Sequence, residues 1–143
     1  MTDKIKSSEA FILLGAQLRR KGRILVQCDG VFDLVHPGHI DYFRRGRALG
    51  DILYVVIVAD KFVDKGPARP LFDEITRANW VAALECVDYV IVNGDYGPLN
   101  IIEKVRPHVL VKGRLYESEP TSGFLKDKAA VEAYGGRVFR DPI

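Results

Sequence analysis

The sequence predicts an α/β domain built on a five-stranded, doubly wound parallel sheet with helices on both faces. Five short apolar runs recur along the chain, at residues 24–28, 52–58, 89–92, 109–111 and 137–139. The runs are continuous rather than alternating, as is typical of parallel strands that are covered on both faces. Helical patterns lie between the runs. A strict alternation of helix and strand favours right-handed crossovers and an open sheet.

The predicted helices are marked by apolar stripes and by residues that start or end a helix. Asp73 is the expected N-cap of one helix, since its carboxylate can accept a hydrogen bond from an amide of the first turn. Pro98 suits the first turn of the next helix, and Gly135 follows the last one. The stripes expected on the helix after Asp73 and on the last helix are formed by Ile75, Ala78, Ala82, Leu125, Ala129 and Ala133.

The composition indicates a soluble globular protein with one domain, residues 1–143, since 48% of the residues are hydrophobic and 28% are charged. The net charge of +2 is too small to indicate a nucleic-acid surface, so a phosphate site must be local. The longest apolar run, residues 52–59, is too short to span a membrane. The two cysteines form neither a disulfide framework nor a metal-ligand spacing, which favours a cytoplasmic location.

Three loops are expected to share one rim of the sheet. In an open α/β sheet, ligands bind in the crevice at the carboxyl ends of the strands. The segments 29–37, 60–73 and 113–123 each follow a predicted strand. We therefore expect the functional residues in these loops.

Two histidines, His36 and His39, lie where the first strand runs into the next helix, in "DGVFDLVHPGH". A helix start favours anions through its free N–H groups and its dipole, and Gly30 and Gly38 would allow close backbone approach. Each imidazole can donate a hydrogen bond to a phosphoryl oxygen. Alternatively, the histidines cap the turn or bind a metal. The metal alternative lacks a third ligand, since His108 precedes the fourth strand, at the opposite end of the sheet.

The segment "GVFDLVHPGH" resembles the G-x-F-D-x-x-H-x-G-H signature of the cytidylyltransferase-like nucleotidyltransferases. The similarity covers almost the entire chain, because "RRGRALGDILYVVIVADKFV", "IIEKVRPHVLVKG" and "AVEAYGGRVF" follow in the family's order. Within the family, the chain is most similar to heptose 1-phosphate nucleotidyltransferase domains, as in ADP-heptose synthase. Glycerol-3-phosphate cytidylyltransferases are more distant.

The resemblance implies a Rossmann-like fold and transfer of a nucleotidyl group from an NTP, ATP or CTP, to a small phosphate monoester. The acceptor phosphate would attack the α-phosphorus in line, with Mg²⁺ accompanying the NTP and pyrophosphate leaving. His36 and His39 match the histidines that hold the nucleotide phosphates and stabilise the transition state. The resemblance also implies a homodimer.

Further residues acquire expected roles from the same resemblance. Lys65 matches a loop lysine that reaches the phosphates. Arg77 is expected to grip a phosphate in a bidentate manner, with an exposed helix charge as the alternative. Asp33 either lies near the acceptor pocket or caps a turn. The full set of nucleotide- or substrate-binding candidates is Gly30, Val31, Phe32, Asp33, Gly38, Lys112, Gly113 and Arg114.

The sequence departs from the family pattern after the fourth strand and at its end. Leu115 stands where relatives commonly carry an acidic residue, so the choice of base is open, and Arg114 adds a cation. Relatives continue past the fifth strand into a serine- and threonine-rich stretch, and we expect a longer protein than the one that ends at Ile143. A sugar-phosphate nucleotidyltransferase is the leading hypothesis. The alternatives are a cytidylyltransferase for a polyol or amino-alcohol phosphate and a catalytically silent nucleotide-binding module.

Overall fold

The computed structural model describes residues 3–64, 66–113 and 121–142. Its strands are β1 (Ile5–Lys6), β2 (Leu25–Gly30), β3 (Ile52–Val58), β4 (Tyr89–Asn93), β5 (Val109–Lys112) and β6 (Arg137–Arg140). Its helices are α1 (Ser8–Arg20), α2 (Pro37–Arg47), α3 (Glu74–Ala82), α4 (Leu99–Val105) and α5 (Ser122–Ala133), with a 3₁₀ turn at Asp60–Phe62.

The strands that the structure describes form a six-stranded parallel sheet in the order β1-β4-β3-β2-β5-β6. The five predicted strands are confirmed, but the expected number of five is wrong. The additional strand, β1, pairs Ile5 with Val90 and Lys6 with Ile91 at the edge of the sheet. A strand of two residues, one of them a lysine, leaves no apolar run in the sequence, which is why the patterning does not reveal it.

Helices cover both faces of the sheet, as predicted for a doubly wound Rossmann-like fold. The helices α2 and α3 pack on one face, around Phe43, Leu53 and Val90. On the opposite face, α1 and α4 pack around Phe11 and Tyr54, and α5 closes the sheet over β5 and β6. The burial of both faces explains why the strand sequences are continuously apolar.

The chain changes direction across the sheet between β2 and β5. From β2 it builds outward through β3 to β4, and it then crosses to β5 on the other side of β2. In open α/β sheets the ligand crevice lies at such a switch point, outside the carboxyl ends of the strands. The site is therefore expected beside the ends of β2 and β5.

Helix starts are predicted more accurately than helix faces. Asp73 caps α3, with its Oδ1 accepting from the Thr76 amide at 2.8 Å, and Ala78 and Ala82 are buried as expected. Ile75 is 59% exposed, however, so its predicted inward position is wrong.

The predicted inward face of α5 is also wrong. Leu125, Ala129 and Ala133 are exposed, whereas Phe124, Asp127 and Val131 are buried. The true face includes Asp127, a charged residue that a periodicity argument assigns to solvent. Its burial depends on a partner from β5, Lys112, which the local sequence does not show.

In the part of the chain that the structure describes, no helix combines the length and apolar character needed to cross a membrane.

Candidate functional site

The two histidines form a reciprocal cap at the start of α2. His36 is the N-cap, and its Nδ1 accepts a hydrogen bond from the Gly38 amide at 3.1 Å. In return, Nδ1 of His39 accepts from the His36 amide at 3.3 Å. The two rings stack with centroids 3.8 Å apart and an interplanar angle of 26°. The capping alternative is therefore confirmed for both histidines.

This cap determines which nitrogen of each ring can serve a ligand. Because both Nδ1 atoms accept amide hydrogen bonds, the proton of each neutral ring lies on Nε2. An Nε2–H group is a hydrogen-bond donor of the kind that stabilises phosphoryl oxygens. His36 is exposed and His39 is half-buried at the edge of the sheet where ligands bind. Capping and the phosphate contact that the sequence predicts would thus use different nitrogens of the same rings.

Free backbone amides, which the sequence predicts at this helix start, are not the main donors of the turn. Pro37 has no N–H group, and the Gly38 amide donates to the His36 ring. The His39 amide donates to the His36 carbonyl oxygen at 2.9 Å. The features of this turn that can attract an anion are therefore the imidazole ring of His36 and the helix dipole.

Gly30 and Gly38 each make room for a neighbouring side chain, and the close approach of a ligand to these glycines stays a prediction. A Cβ atom on Gly30 would lie 2.9 Å from the Phe32 ring, and one on Gly38 would lie 2.8 Å from the His36 ring. Phe32 itself adopts a φ of 53°, a left-handed conformation that turns the chain at the end of β2. Its buried ring then meets His39 edge-on at 5.4 Å and supports that imidazole from below.

Arg77 is fully buried, and its guanidinium fastens the end of β3 to the loops that follow β2 and β3, rather than facing a ligand. Nε donates to the Phe72 carbonyl at 2.9 Å, and Nη1 donates to the carbonyls of Val31 and Val58 at 2.9 and 2.8 Å. Nη2 donates to Asp60 at 2.7 Å. Neither predicted role, a bidentate grip on a phosphate or an exposed helix charge, fits this geometry. The reason is that protein oxygens already occupy the fork.

Asp33 holds the segment after β3 against the histidine turn. Its carboxylate accepts from the amides of Leu71 and Phe72 at 2.7 and 3.0 Å, and from Arg69 at 3.1 Å. Burial alone would raise the pKa of Asp33, but these backbone and guanidinium hydrogen bonds hold that pKa below its usual value. Of the two predicted roles, the structure shows turn capping.

A cavity of about 310 Å³ opens beside the ends of β2 and β5. Each of the three predicted rim loops contributes to its wall: Asp29 and Val31 from the first, Phe62 and Asp64 from the second, and Thr121 from the third. The expectation that these loops share one rim is confirmed. A larger hollow of about 520 Å³ lies between α2 and the turn after α3, away from this edge, and holds none of the predicted site residues.

Lys112 forms a buried ion cluster at the base of the cavity. Its Nζ lies 2.9 and 3.0 Å from the two oxygens of Asp29 and 3.3 Å from Asp127. Although burial opposes the charge, the two carboxylates raise the pKa of Lys112, and it stays an ammonium ion. Burial raises the pKa of Asp127 in spite of Lys112. The side chain of Lys112 thus forms internal ion pairs, and its contact with a nucleotide stays a prediction.

Other predicted residues have the following places. Gly113 directly follows β5 and is half-buried. Lys65 and Arg114 lie outside the described residues, as does Leu115. Within residues 3–64, 66–113 and 121–142, no group of three or more His, Cys, Asp or Glu side chains is arranged to hold a metal ion.

Sequence reasoning singled out only Val31 and Lys112 as site residues among the residues of this wall, and Asp29, Asp127 and Tyr96 are among those that it missed. The sequence did carry a signal for Asp29, since charged residues are seldom buried and the other residues of β2 are uncharged. Asp127 lies on a helix and Tyr96 in a loop, where neither residue type stands out.

Comparisons with known proteins show the family of the chain. The family model described as cytidylyltransferase-like matches residues 27–137. A "Bifunctional protein HldE" of Syntrophotalea carbinolica is 45% identical over 122 residues, which are 84% of this chain and 24% of the relative. The protein of the same name from Trichlorobacter lovleyi is 44% identical over 137 residues, 94% of this chain and 27% of the relative. The chain therefore spans about a quarter of the length of these relatives.

Solved structures share the fold. A lipopolysaccharide core biosynthesis protein from Thermoplasma volcanium superimposes with a TM-score of 0.66 and 29% identity, covering 83% of this chain and 96% of that one. A pantoate-beta-alanine ligase from Francisella tularensis has a TM-score of 0.67 over 96% of this chain and 66% of its own, but with 13% identity it shows the fold alone. The histidine turn at the switch point, the fold and the family match together show that the chain belongs to the cytidylyltransferase-like family of nucleotidyltransferases.

Proposed function

We propose that the chain transfers a nucleotidyl group from an NTP to a sugar phosphate, as a heptose 1-phosphate adenylyltransferase does, and releases pyrophosphate. The observation that carries this proposal is the histidine turn, in which two Nε2–H donors stand together at the start of an eleven-residue helix. The HldE relatives favour a sugar phosphate as the acceptor over a polyol phosphate.

The reaction requires charge stabilisation rather than a covalent enzyme intermediate. An acceptor phosphate oxygen forms a bond to the α-phosphorus, and the bond from that phosphorus to the bridging oxygen of the β-phosphate breaks. Negative charge builds on the α-phosphoryl and departing oxygens. The Nε2–H groups of His36 and His39, reinforced by the dipole of α2, are suited to donate to these oxygens, and each donor of this kind contributes roughly 10²- to 10³-fold to the rate.

The remaining residues position the reacting groups. Mg²⁺ is expected to enter bound to the NTP, with phosphate oxygens among its ligands. Lys65, which follows Asp64 in the loop at the cavity, is a further candidate for contact with the phosphates. Arg77 and Asp33 act through other groups, since they hold the carbonyl of Val31 and the segment 71–72 in place. Homodimer formation and a cytoplasmic location stay predictions.

A substrate panel tests the proposal. The purified chain is incubated with Mg²⁺, each of four NTPs and a set of phosphates that includes heptose 1-phosphate and glycerol 3-phosphate, and pyrophosphate release is measured. We expect release with ATP and a sugar 1-phosphate. Release only with CTP and a polyol phosphate would indicate a cytidylyltransferase. No release with any pair, together with intact NTP binding, would indicate a silent nucleotide-binding module.

A further inference from the structure

The base of the cavity carries a charged cluster whose geometry fixes one carboxylate. The ammonium group of Lys112 has three hydrogens, and three carboxylate oxygens lie within 3.3 Å of it, two of Asp29 and one of Asp127. The Lys112 side chain is only 7% exposed, so these contacts are internal. The bidentate contact with Lys112 defines the orientation of the Asp29 carboxylate.

Asp29 is the member of this cluster that a ligand can reach. Its side chain is 15% exposed, compared with 8% for Asp127, and it lines the cavity. Each carboxylate oxygen can accept about two hydrogen bonds. Both oxygens of Asp29 therefore retain acceptor capacity after binding Lys112, and they can accept from two neighbouring donors at once.

The charge of the lining disfavours phosphate in this cavity. Its described residues include three acids, Asp29, Asp64 and Asp127, and one base, Lys112. Like charges repel, and the repulsion is stronger where water is partly excluded. The phosphates of a substrate are thus better accommodated at the histidine turn, and an uncharged part of the substrate suits the cavity.

Aromatic side chains at the cavity suit a neutral ring. The rings of Phe62 and Tyr96 meet edge-on, with centroids 5.8 Å apart, and Tyr96 is 77% exposed. An exposed aromatic beside a hydrogen-bond acceptor is a common arrangement for a ring that is apolar on its face and polar at its edge. A sugar has both properties.

We propose that Asp29 is a specificity-determining residue that accepts hydrogen bonds from two adjacent hydroxyl groups of a neutral sugar ring, with Lys112 and Asp127 as positioning residues. The inference rests on the proposed function, in which two substrates carry such a ring: the ribose of the NTP and the sugar of the acceptor. Both offer the same chemistry, a vicinal diol.

The test uses the unmodified chain first. Pyrophosphate release is measured with an NTP and its 2′-deoxy analogue at a fixed acceptor, and with a sugar phosphate and its deoxy analogue at a fixed NTP. Removing a hydroxyl leaves the carboxylate without a partner, so kcat/KM should fall at least about tenfold in one of the two arms. The arm that responds identifies the ring. Equal use of parent and deoxy substrates in both arms would overturn the inference while leaving the proposed function intact.

Variants then assign the effect to Asp29. Asp29→Asn should reduce the discrimination to within about threefold, because a neutral amide is a poorer acceptor and one of its two ends only donates. Asp41→Asn, which changes an exposed acid of α2 outside the cavity, should discriminate like the unmodified chain. A folded Asp29→Asn variant that still discriminates between parent and deoxy substrates as strongly as the unmodified chain would contradict the assignment. If that variant does not fold, the comparison of parent and deoxy substrates with the unmodified chain decides alone. Absence of both pyrophosphate release and NTP binding would instead overturn the proposed function, and this inference with it.

Discussion

In the proposed function, one side chain of the site has two roles that use two different atoms. His36 accepts a hydrogen bond from the Gly38 amide with Nδ1, which caps α2. Its Nε2–H group is the proposed donor to phosphate. A substitution that retains the cap but removes the Nε2–H donor therefore distinguishes an effect on stability from an effect on turnover.

We predict that His36→Asn preserves the fold but impairs turnover. Asparagine is among the best N-cap residues, so the free energy of unfolding should change by less than about 0.5 kcal/mol. Its shorter side chain cannot place a donor where the imidazole Nε2–H lies, and kcat/KM should fall at least about tenfold. Urea unfolding and pyrophosphate release measure the two effects. A stable variant with unchanged turnover would limit His36 to capping.

For Arg77 we expect the opposite result, a loss of stability rather than a loss of turnover in a stable fold. Arg77→Met keeps most of the side-chain volume but leaves the carbonyls of Phe72, Val31 and Val58 without their donor. The free energy of unfolding should fall by about 3 kcal/mol, as for other buried charged groups that lose their hydrogen bonds. Arg44→Met, at an exposed position of α2, is the control and should be nearly neutral. Unchanged stability with a raised KM for the NTP would restore the predicted phosphate contact.

At the scale of elements, the site depends on clamps between loops rather than on the helices alone. Asp33 binds the amides of Leu71 and Phe72 and so ties the segment before α3 to the histidine turn. In the sequence, Lys65 lies between β3 and this clamp. The position of the segment 71–72 is thus linked to the protonation of one carboxylate.

We predict a pH-dependent stability contribution from Asp33. Because its pKa in the folded chain lies below the usual value of 3.8, the folded state favours the ionised form. The contribution is therefore complete above that value and is lost as the pH falls through the folded pKa. Unfolding experiments at several pH values should show Asp33→Asn to be less stable than the unmodified chain at neutral pH, with the gap closing in acid. A difference in the free energy of unfolding that stays constant from neutral to acidic pH would contradict the role of the ionised Asp33 carboxylate in this clamp.

Local patterns predict elements well where one signal dominates. The long apolar runs and the Asp73 cap predict β3 and the start of α3. The same reasoning misses β1, because two residues carry no period, and misplaces the face of α5, because Asp127 is buried by an ion pair with Lys112. Pairing between distant residues is not visible in a local pattern.

For the whole molecule, the fold follows from the order of helices and strands, and the location of the site follows from the fold. The strand order places a switch point between β2 and β5, and the motif around His36 and His39 lies there. The sequence predicts these histidines as site residues because they lie three residues apart, and a pattern this short is visible in the local sequence. It does not predict that Arg77 is buried among carbonyl groups, because a guanidinium looks the same in sequence whether it faces a ligand or the protein.

The central claim is that the imidazoles of the turn stabilise charge during nucleotidyl transfer, and His39→Ala tests it most directly. Steady-state pyrophosphate release is measured for the variant and the unmodified chain, with circular dichroism to confirm that both are folded. The account predicts that kcat falls by about a hundredfold or more, because the Nε2–H donor is lost at the point where charge develops. A folded His39→Ala variant with near-normal kcat would contradict it.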